Sequence, residues 1–352
     1  MNDASAQHRD ADGSERRAES ATQSGRVGDP RDALQRRHET ARGDHPRHPR
    51  EYAGFCVGVA TLLVVFGAAS FARANEGDGG GALTIGAAIL LGIVQGITEF
   101  LPISSDGHLA LGQILLGIDA TAGGHRFTIA LHAGTLLAVI WTYRADLIAL
   151  GASVLRPMRD TEDRRLLLAM FVASLPLGIA VLPGVEALVI AMESQVRWIG
   201  VWLLVTAAAL WFGFRHERVH PPKTPGALPT LGQAFVIGLA QVTAILPGLS
   251  RSGTTISSAL ALGLDRAMAA RFSFLLSVIA VGGAVSKEAL GVAMESGVAA
   301  PIDPVPYLAG FAASLLVGLV ALRGLLLLVG RGRVLGFVVY LVVLGTIAIA
   351  VG

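Results

Sequence analysis

Gln95, Glu99, Ser105, His108 and Arg251 are the side chains of this 352-residue chain whose types and spacing suit a reaction. Gln95 and Glu99 stand four residues apart, so one helix face carries both. A carboxylate in an apolar segment costs about 2.5–3.5 kcal/mol unless a partner answers it. Glu99 is therefore expected to face a cation, a base or water; a structural hydrogen bond is the plainer alternative. Ser105 and His108 follow the Leu101-Pro102 break, where a turn can pair a nucleophile with a base. A helix cap by Ser104 or Ser105 is the plainer alternative.

Arg251 lies in Ser250-Arg251-Ser252-Gly253-Thr254-Thr255, again just after a Leu-Pro break. A guanidinium in such a place needs an anion. The flanking hydroxyls and the free amides of a helix start suit phosphate oxygens. The anion is either a bound phosphate or Glu99 itself. A carboxylate beside phosphate oxygens is an Mg²⁺ or Ca²⁺ environment, which points to metal-assisted phosphoryl chemistry. Among lesser candidates, His132 either reaches this site or is a satisfied core histidine. Arg126 suits a head group, and Arg271 reads as an interface anchor.

The elements that must position these residues are apolar. Hydrophobic residues make up 53% and charged residues 15% of the chain, against about 25% charge in a soluble protein. Lipid is the expected surroundings, membrane lipids the expected contacts, and a homo-oligomer is left open. A net charge of +2 spread over tail and loops disfavours nucleic acid. The single cysteine, Cys56, excludes an intrachain disulfide and a cysteine-based zinc site.

Residues 1–51 hold ten Arg and ten acidic residues with almost no apolar periodicity and read as a disordered tail. Residues 52–74 read as a signal-peptide-like segment or an anchor helix, ending in Ala72-Arg73-Ala74. Eight apolar stretches follow. Ala82–Leu101 and Ala234–Leu246 both end in Leu-Pro and run into Ser- and Gly-rich sequence, which breaks a helix. The other six, Phe127–Tyr143, Leu166–Val189, Trp198–Phe214, Phe272–Val285, Tyr307–Val329 and Val334–Val351, approach the ~20 residues of a membrane span.

The two broken segments resemble each other: Gly92-Ile-Val-Gln95 before Leu101-Pro102, and Gly238-Leu-Ala-Gln241 before Leu246-Pro247. Three candidate spans follow each. Loops rich in Arg (Arg144, Arg156, Arg159, Arg164 and Arg165; Arg215, Arg218 and Lys223; Arg331 and Arg333) are assigned to the cytoplasm. The parity then closes only if each broken segment enters the membrane and returns on the same side. The expected fold is an all-α integral membrane protein. It has six transmembrane helices in two inverted repeats (82–230 and 231–352), two re-entrant helical hairpins, and an extra N-terminal hydrophobic helix. Such broken helices line polar sites near the bilayer midplane.

Two stretches carry a family resemblance: Leu91-Gly-Ile-Val-Gln-Gly-Ile-Thr-Glu-Phe-Leu-Pro-Ile-Ser-Ser-Asp-Gly-His108 and Pro247-Gly-Leu-Ser-Arg-Ser-Gly-Thr-Thr-Ile256, with Phe272-Ser-Phe-Leu-Leu276 a weaker third. In these the chain resembles the undecaprenyl-diphosphatase, or bacitracin-resistance protein, family over roughly residues 82–351. The resemblance implies an inner-membrane enzyme of bacteria, its active site facing the periplasm. Such an enzyme removes the terminal phosphate of undecaprenyl diphosphate, a polyprenyl diphosphate lipid, to recycle the carrier for cell-wall synthesis, with Mg²⁺ or Ca²⁺ as cofactor. It places Glu99 and Gln95 at the metal, Glu99, Ser105, His108 and Arg251 in catalysis, and Ser104, Ser250, Arg251, Ser252 and Thr255 at the substrate phosphate. Four positions depart from the family pattern. Position 95 is Gln where some members have Glu, Asp106 replaces a small Ser or Thr, Thr128 an acidic residue, and Ile279 a proline. The expected chemistry has Ser105 attacking the terminal phosphorus with His108 as base. The alternative function class is a polyprenyl-phosphate flippase or secondary transporter, which does not require Glu99, Ser105, His108 and Arg251 together.

Overall fold

The computed structural model describes residues 83–116, 118, 122–155, 161–193, 195–294 and 303–352. The expectations for the tail and for 52–74 lie outside the described residues. Among the described residues every regular element is helical. In order they are α1 (Ile85–Thr98), α2 (Ser105–Leu115), α3 (Ala122–Thr142), α4 (Arg144–Val154), α5 (Glu162–Ser174), a 3-10 segment (Leu175–Val181), α6 (Val185–Glu193), α7 (Val196–Val219), α8 (Leu231–Thr243), α9 (Arg251–Ala261), α10 (Arg266–Met294), α11 (Pro304–Gly330) and α12 (Leu335–Val351).

Among the described residues three helices are long and apolar enough to cross a bilayer: α7, α10 over Arg266–Gly291, and α11. Helices α3 and α4, bent by 76° at Tyr143, make a fourth if taken as one broken span. The stretch Leu166–Val189, expected as a single span, is three pieces. Helix α5 ends at Ser174, and Pro176 sits at the start of the 3-10 segment. A proline there supplies no amide proton and clashes with the carbonyl one turn back, so the α-helix cannot run on.

Helices α1 and α8 are short, at 14 and 13 residues. At 1.5 Å per residue they reach only ~20 Å, about two-thirds of a ~30 Å hydrocarbon core. Each is followed by an irregular turn and a second short helix, α2 or α9. The Leu-Pro breaks expected from sequence therefore fall where the helices stop.

Bare backbone locks both short helices in place. Gly96 of α1 lies so close to α11 that a Cβ there would sit 2.9 Å from the Ser314 carbonyl oxygen and the Gly318 nitrogen. A Cβ on Gly238 of α8 would collide with the Ala173 carbonyl of α5. Gly238→Leu is therefore expected to cost about 1–3 kcal/mol by overpacking, read as a lower Tm in detergent. Gly291→Leu, whose added carbon meets nothing within 4 Å, is the control that leaves Tm in place.

The helices pair in a repeating pattern. Helix α1 packs on α11 as α8 packs on α5, and α3 packs on α11 as α10 packs on α5. Gln113 of α2 donates to Thr128 of α3 at 2.9 Å, while Thr255 of α9 and Ser273 of α10 share a 2.6 Å hydrogen bond. Helix α7 packs on α12, and α3 on α10. Exchanging α1, α2, α3, α5 and α7 for α8, α9, α10, α11 and α12 carries these pairings into one another, while the packing of α7 on α9 has no comparably extensive α12–α2 counterpart.

Arg271 is not a free interface anchor. Its guanidinium pairs with Asp146 of α4, with Nε donating to Oδ1 at 3.0 Å. Tyr143 at the α3–α4 bend stacks on Phe274 beside this pair. The bend is thus tied to α10 by one ion pair and one aromatic contact.

Candidate active site

The first break is built around Glu99. Helix α1 ends at Thr98, whose hydroxyl donates back to the Val94 carbonyl at 2.8 Å. Pro102 then stops the helix, and Ser104 takes φ +70°, the left-handed region. It is the one non-glycine residue to do so among the described residues. Ser105 opens α2 immediately afterwards. The second break makes its turn with glycine instead: Gly248 has φ +99°, and a Cβ there would lie 2.5 Å from the Ile199 carbonyl. Ser250 caps α9, its Oγ accepting from the Gly253 amide at 3.1 Å. Thr206 of α7 pins this turn by accepting the Ser250 amide at 3.1 Å.

The two breaks meet. A Cβ on Gly253 would stand 3.3 Å from Pro102 Cβ, so the first break adjoins the first turn of α9. Across this junction Arg251 Nη2 pairs with Glu99 Oε1. The Glu99 side chain is only 6% exposed. Its Oε2 accepts from Ser105 Oγ at 2.8 Å and from Gln95 Nε2 at 3.1 Å. His132 of α3 adds an imidazole whose Nε2 stands 3.6 Å from Glu99 Oε2 and 3.4 Å from Asp106 Oδ1. Its Nδ1 donates to the Thr128 carbonyl at 2.9 Å. The Asp106 side chain is 57% exposed, so this edge of the cluster is open.

Two buried atoms here have no hydrogen-bond partner: Gln95 Oε1 and Arg251 Nη1. Leaving a buried polar group unpaired costs about 1–3 kcal/mol, more for a charged group. One acceptor and one charged donor, left over on either side of Glu99, fit a ligand that carries both a cation and an anion.

The structure brings Gln95, Glu99, Ser105 and Arg251 together. It does not pair His108 with Ser105. His108 Nδ1 donates to the Ser104 carbonyl at 2.6 Å, and Nε2 meets the Tyr340 hydroxyl of α12 at 2.6 Å. Ser250, Ser252 and Thr255 surround Arg251, but their hydroxyls are engaged internally. Ser250 and Ser252 share a 3.2 Å contact, and Thr255 donates to the Arg251 carbonyl at 2.7 Å. They shape the turn that aims the guanidinium. The sequence leaves His132 open between this site and a satisfied core position and marks Asp106 only as a departure from the family pattern; Tyr340 lies 232 residues from His108 and carries no sequence signal.

Among the described residues no group of three or more His, Cys, Asp or Glu side chains is placed to hold a metal ion unaided. The donors present are hard oxygens, the Glu99 carboxylate and the unpartnered Gln95 Oε1. A hard divalent cation that keeps waters and takes its remaining ligands from substrate phosphate fits such a pair.

The model of the bacitracin resistance protein BacA family matches residues 88–347. The chain belongs to that family. It is similar to an undecaprenyl-diphosphatase of Desulfosudis oleivorans, 41% identical over 276 residues that cover 75% of this chain and 97% of the relative. An undecaprenyl-diphosphatase of Christiangramia forsetii is 36% identical over 263 residues, covering 74% and 96%. One of Methanobrevibacter smithii is 34% identical over 280 residues, covering 74% and 95%. Every residue of the Glu99–Arg251 cluster, and Tyr340, lies inside the span that marks this chain as a BacA family member.

Proposed function

We infer that this chain is an undecaprenyl-diphosphate phosphatase, a membrane hydrolase that removes the terminal phosphate of the lipid carrier for cell-wall synthesis. The observation that carries the reading is the Glu99–Ser105–Arg251 constellation, with Arg251 Nη1 buried and unpaired beside it. Arg251 and the first amides of α2 and α9 hold the diphosphate. Ser105 Oγ attacks the terminal phosphorus and its proton passes to Glu99 Oε2, 2.8 Å away. The bridging P–O bond breaks, Glu99 passes its proton to the departing phosphate oxygen, and undecaprenyl phosphate leaves. Water, with Glu99 as base and His132 beside it, then hydrolyses the phosphoserine to free serine and inorganic phosphate. Glu99 and Gln95 Oε1 would hold an Mg²⁺ or Ca²⁺ ion, which neutralises charge on the phosphate oxygens.

The architecture proposed around this site is six spans in two inverted halves with two re-entrant hairpins, α1–α2 and α8–α9. The repeating set of helix neighbours supports it, as do the two short helices that stop at a Leu-Pro break. The arginine-rich loops, read as cytoplasmic, support an opening on the periplasmic side of the inner membrane.

Purified full-length protein in detergent with Mg²⁺ is expected to release phosphate from undecaprenyl diphosphate. Chelating the metal is expected to stop it. Glu99→Ala should lose about 10²–10⁴-fold in kcat, the usual contribution of a positioned acid–base group. Absence of release with any divalent ion would move the assignment to a flippase or transporter.

A further inference from the structure

We propose that His108 is a positioning residue, and that with Tyr340 it forms a strap that holds the left-handed turn at Ser104 and so aims Ser105 at Glu99. The proposal rests on the phosphatase reading above and concerns what the imidazole does within it.

The hydrogen-bond inventory of the ring decides the matter. A neutral imidazole has one donor nitrogen and one acceptor nitrogen. The Ser104 carbonyl can only accept, so Nδ1, 2.6 Å from it, must carry the proton. Nε2 is then the acceptor, and the Tyr340 hydroxyl occupies it at 2.6 Å. In the protonated ring both nitrogens are donors. In neither state is a lone pair left for the Ser105 proton. The hydroxyl of Ser105 already points elsewhere, to Glu99 Oε2.

The strap has something to hold. Ser104 adopts φ +70° without being glycine, a conformation that costs of the order of 1–3 kcal/mol and persists only where surrounding structure enforces it. The carbonyl that His108 grips belongs to this residue, one peptide before Ser105. Tyr340 stacks on the same ring, with centroids 5.9 Å apart and planes 18° apart. It anchors the strap to α12, an element with no other described hydrogen bond to the first break. Release of the grip lets Ser104 relax, which turns Ser105 away from Glu99. A displacement of ~1 Å at a reacting atom can cost 10²-fold.

The test separates the two nitrogens. Asparagine places its amide where Nδ1 stands, and glutamine where Nε2 stands. His108→Asn keeps the grip on Ser104 and is expected to stay within ~10-fold of wild-type kcat. His108→Gln and His108→Ala are expected to lose ~10²-fold in kcat with KM little changed. Tyr340→Phe should lose part of kcat in the wild-type background and nothing further in His108→Asn. A general base would instead make Asn, Gln and Ala equally inactive, each down about 10²–10⁴-fold, and that result overturns the proposal. A second readout needs no turnover. Deuterium uptake by amides 103–106 is expected to rise most in His108→Ala, and less and to a similar extent in His108→Asn and Tyr340→Phe, each of which keeps the Ser104 contact and loses the tether to α12; unchanged uptake in all three counts against the strap. If wild-type protein releases no phosphate the phosphatase reading fails, while the exchange measurement still decides the strap.

Discussion

Ser105→Ala is expected to remove turnover, with kcat falling by about 10⁴-fold or more, the scale seen when an enzyme loses its nucleophile. Ser105 is the first residue of α2, its Oγ is 2.8 Å from a carboxylate, and the carboxylate is held from the other side by Gln95 and Arg251. Ser104, its neighbour, is buried behind the left-handed turn. The fold should survive, since Glu99 keeps its other partners, so Tm and elution volume match wild type. Acid quenching of wild-type protein with a diphosphate labelled at its terminal phosphorus should leave the label on the Ser105 peptide. Full activity in Ser105→Ala would leave water as the attacking group and Ser105 as a binding group.

Arg251→Ala should lower kcat/KM by about 10³-fold or more, since it removes a preorganised charged donor from where phosphate charge develops. Arg251→Lys should recover only part, because an ammonium keeps the charge but loses the planar fork. The substitution also strips Glu99 of its counter-charge. Breaking a buried pair costs about 3–5 kcal/mol, so Arg251→Ala is expected to unfold at lower temperature. Glu99→Gln combined with Arg251→Ala removes both charges and should restore Tm without restoring phosphate release. That split separates loss of chemistry from loss of fold.

The breaks after α1 and α8 were legible in the chain because their signals are local. Leu101-Pro102 and Leu246-Pro247 stop the helices, and Gly92 and Gly238 repeat because each faces backbone from a neighbouring helix. The Glu99–Arg251 pairing was legible across 152 residues for a different reason: each charge sits in an apolar segment and demands its opposite. The role of His108 was not legible. A Ser-x-x-His spacing suggests a catalytic pair, but at a helix start the ring reaches back one turn to the Ser104 carbonyl instead. The break inside Leu166–Val189 was obscured in the same way, because unbroken apolar composition outweighed a single proline at 176. Serine and threonine around Arg251 suggested phosphate contacts, yet hydroxyls near a helix start find backbone groups first. Asp106 and Arg271 show the remaining gap. Their partners, His132 and Asp146, lie on other helices, and charge alone does not name a mate.

The carboxylate that faces Arg251 is already a competent anion, so whatever enters must outbid it. A doubly linked phosphate group carries more charge and more oxygens than the monoester left after cleavage. On the proposed reading substrate would displace Glu99 from the guanidinium, and the internal contact reforming behind the spent lipid would favour its departure.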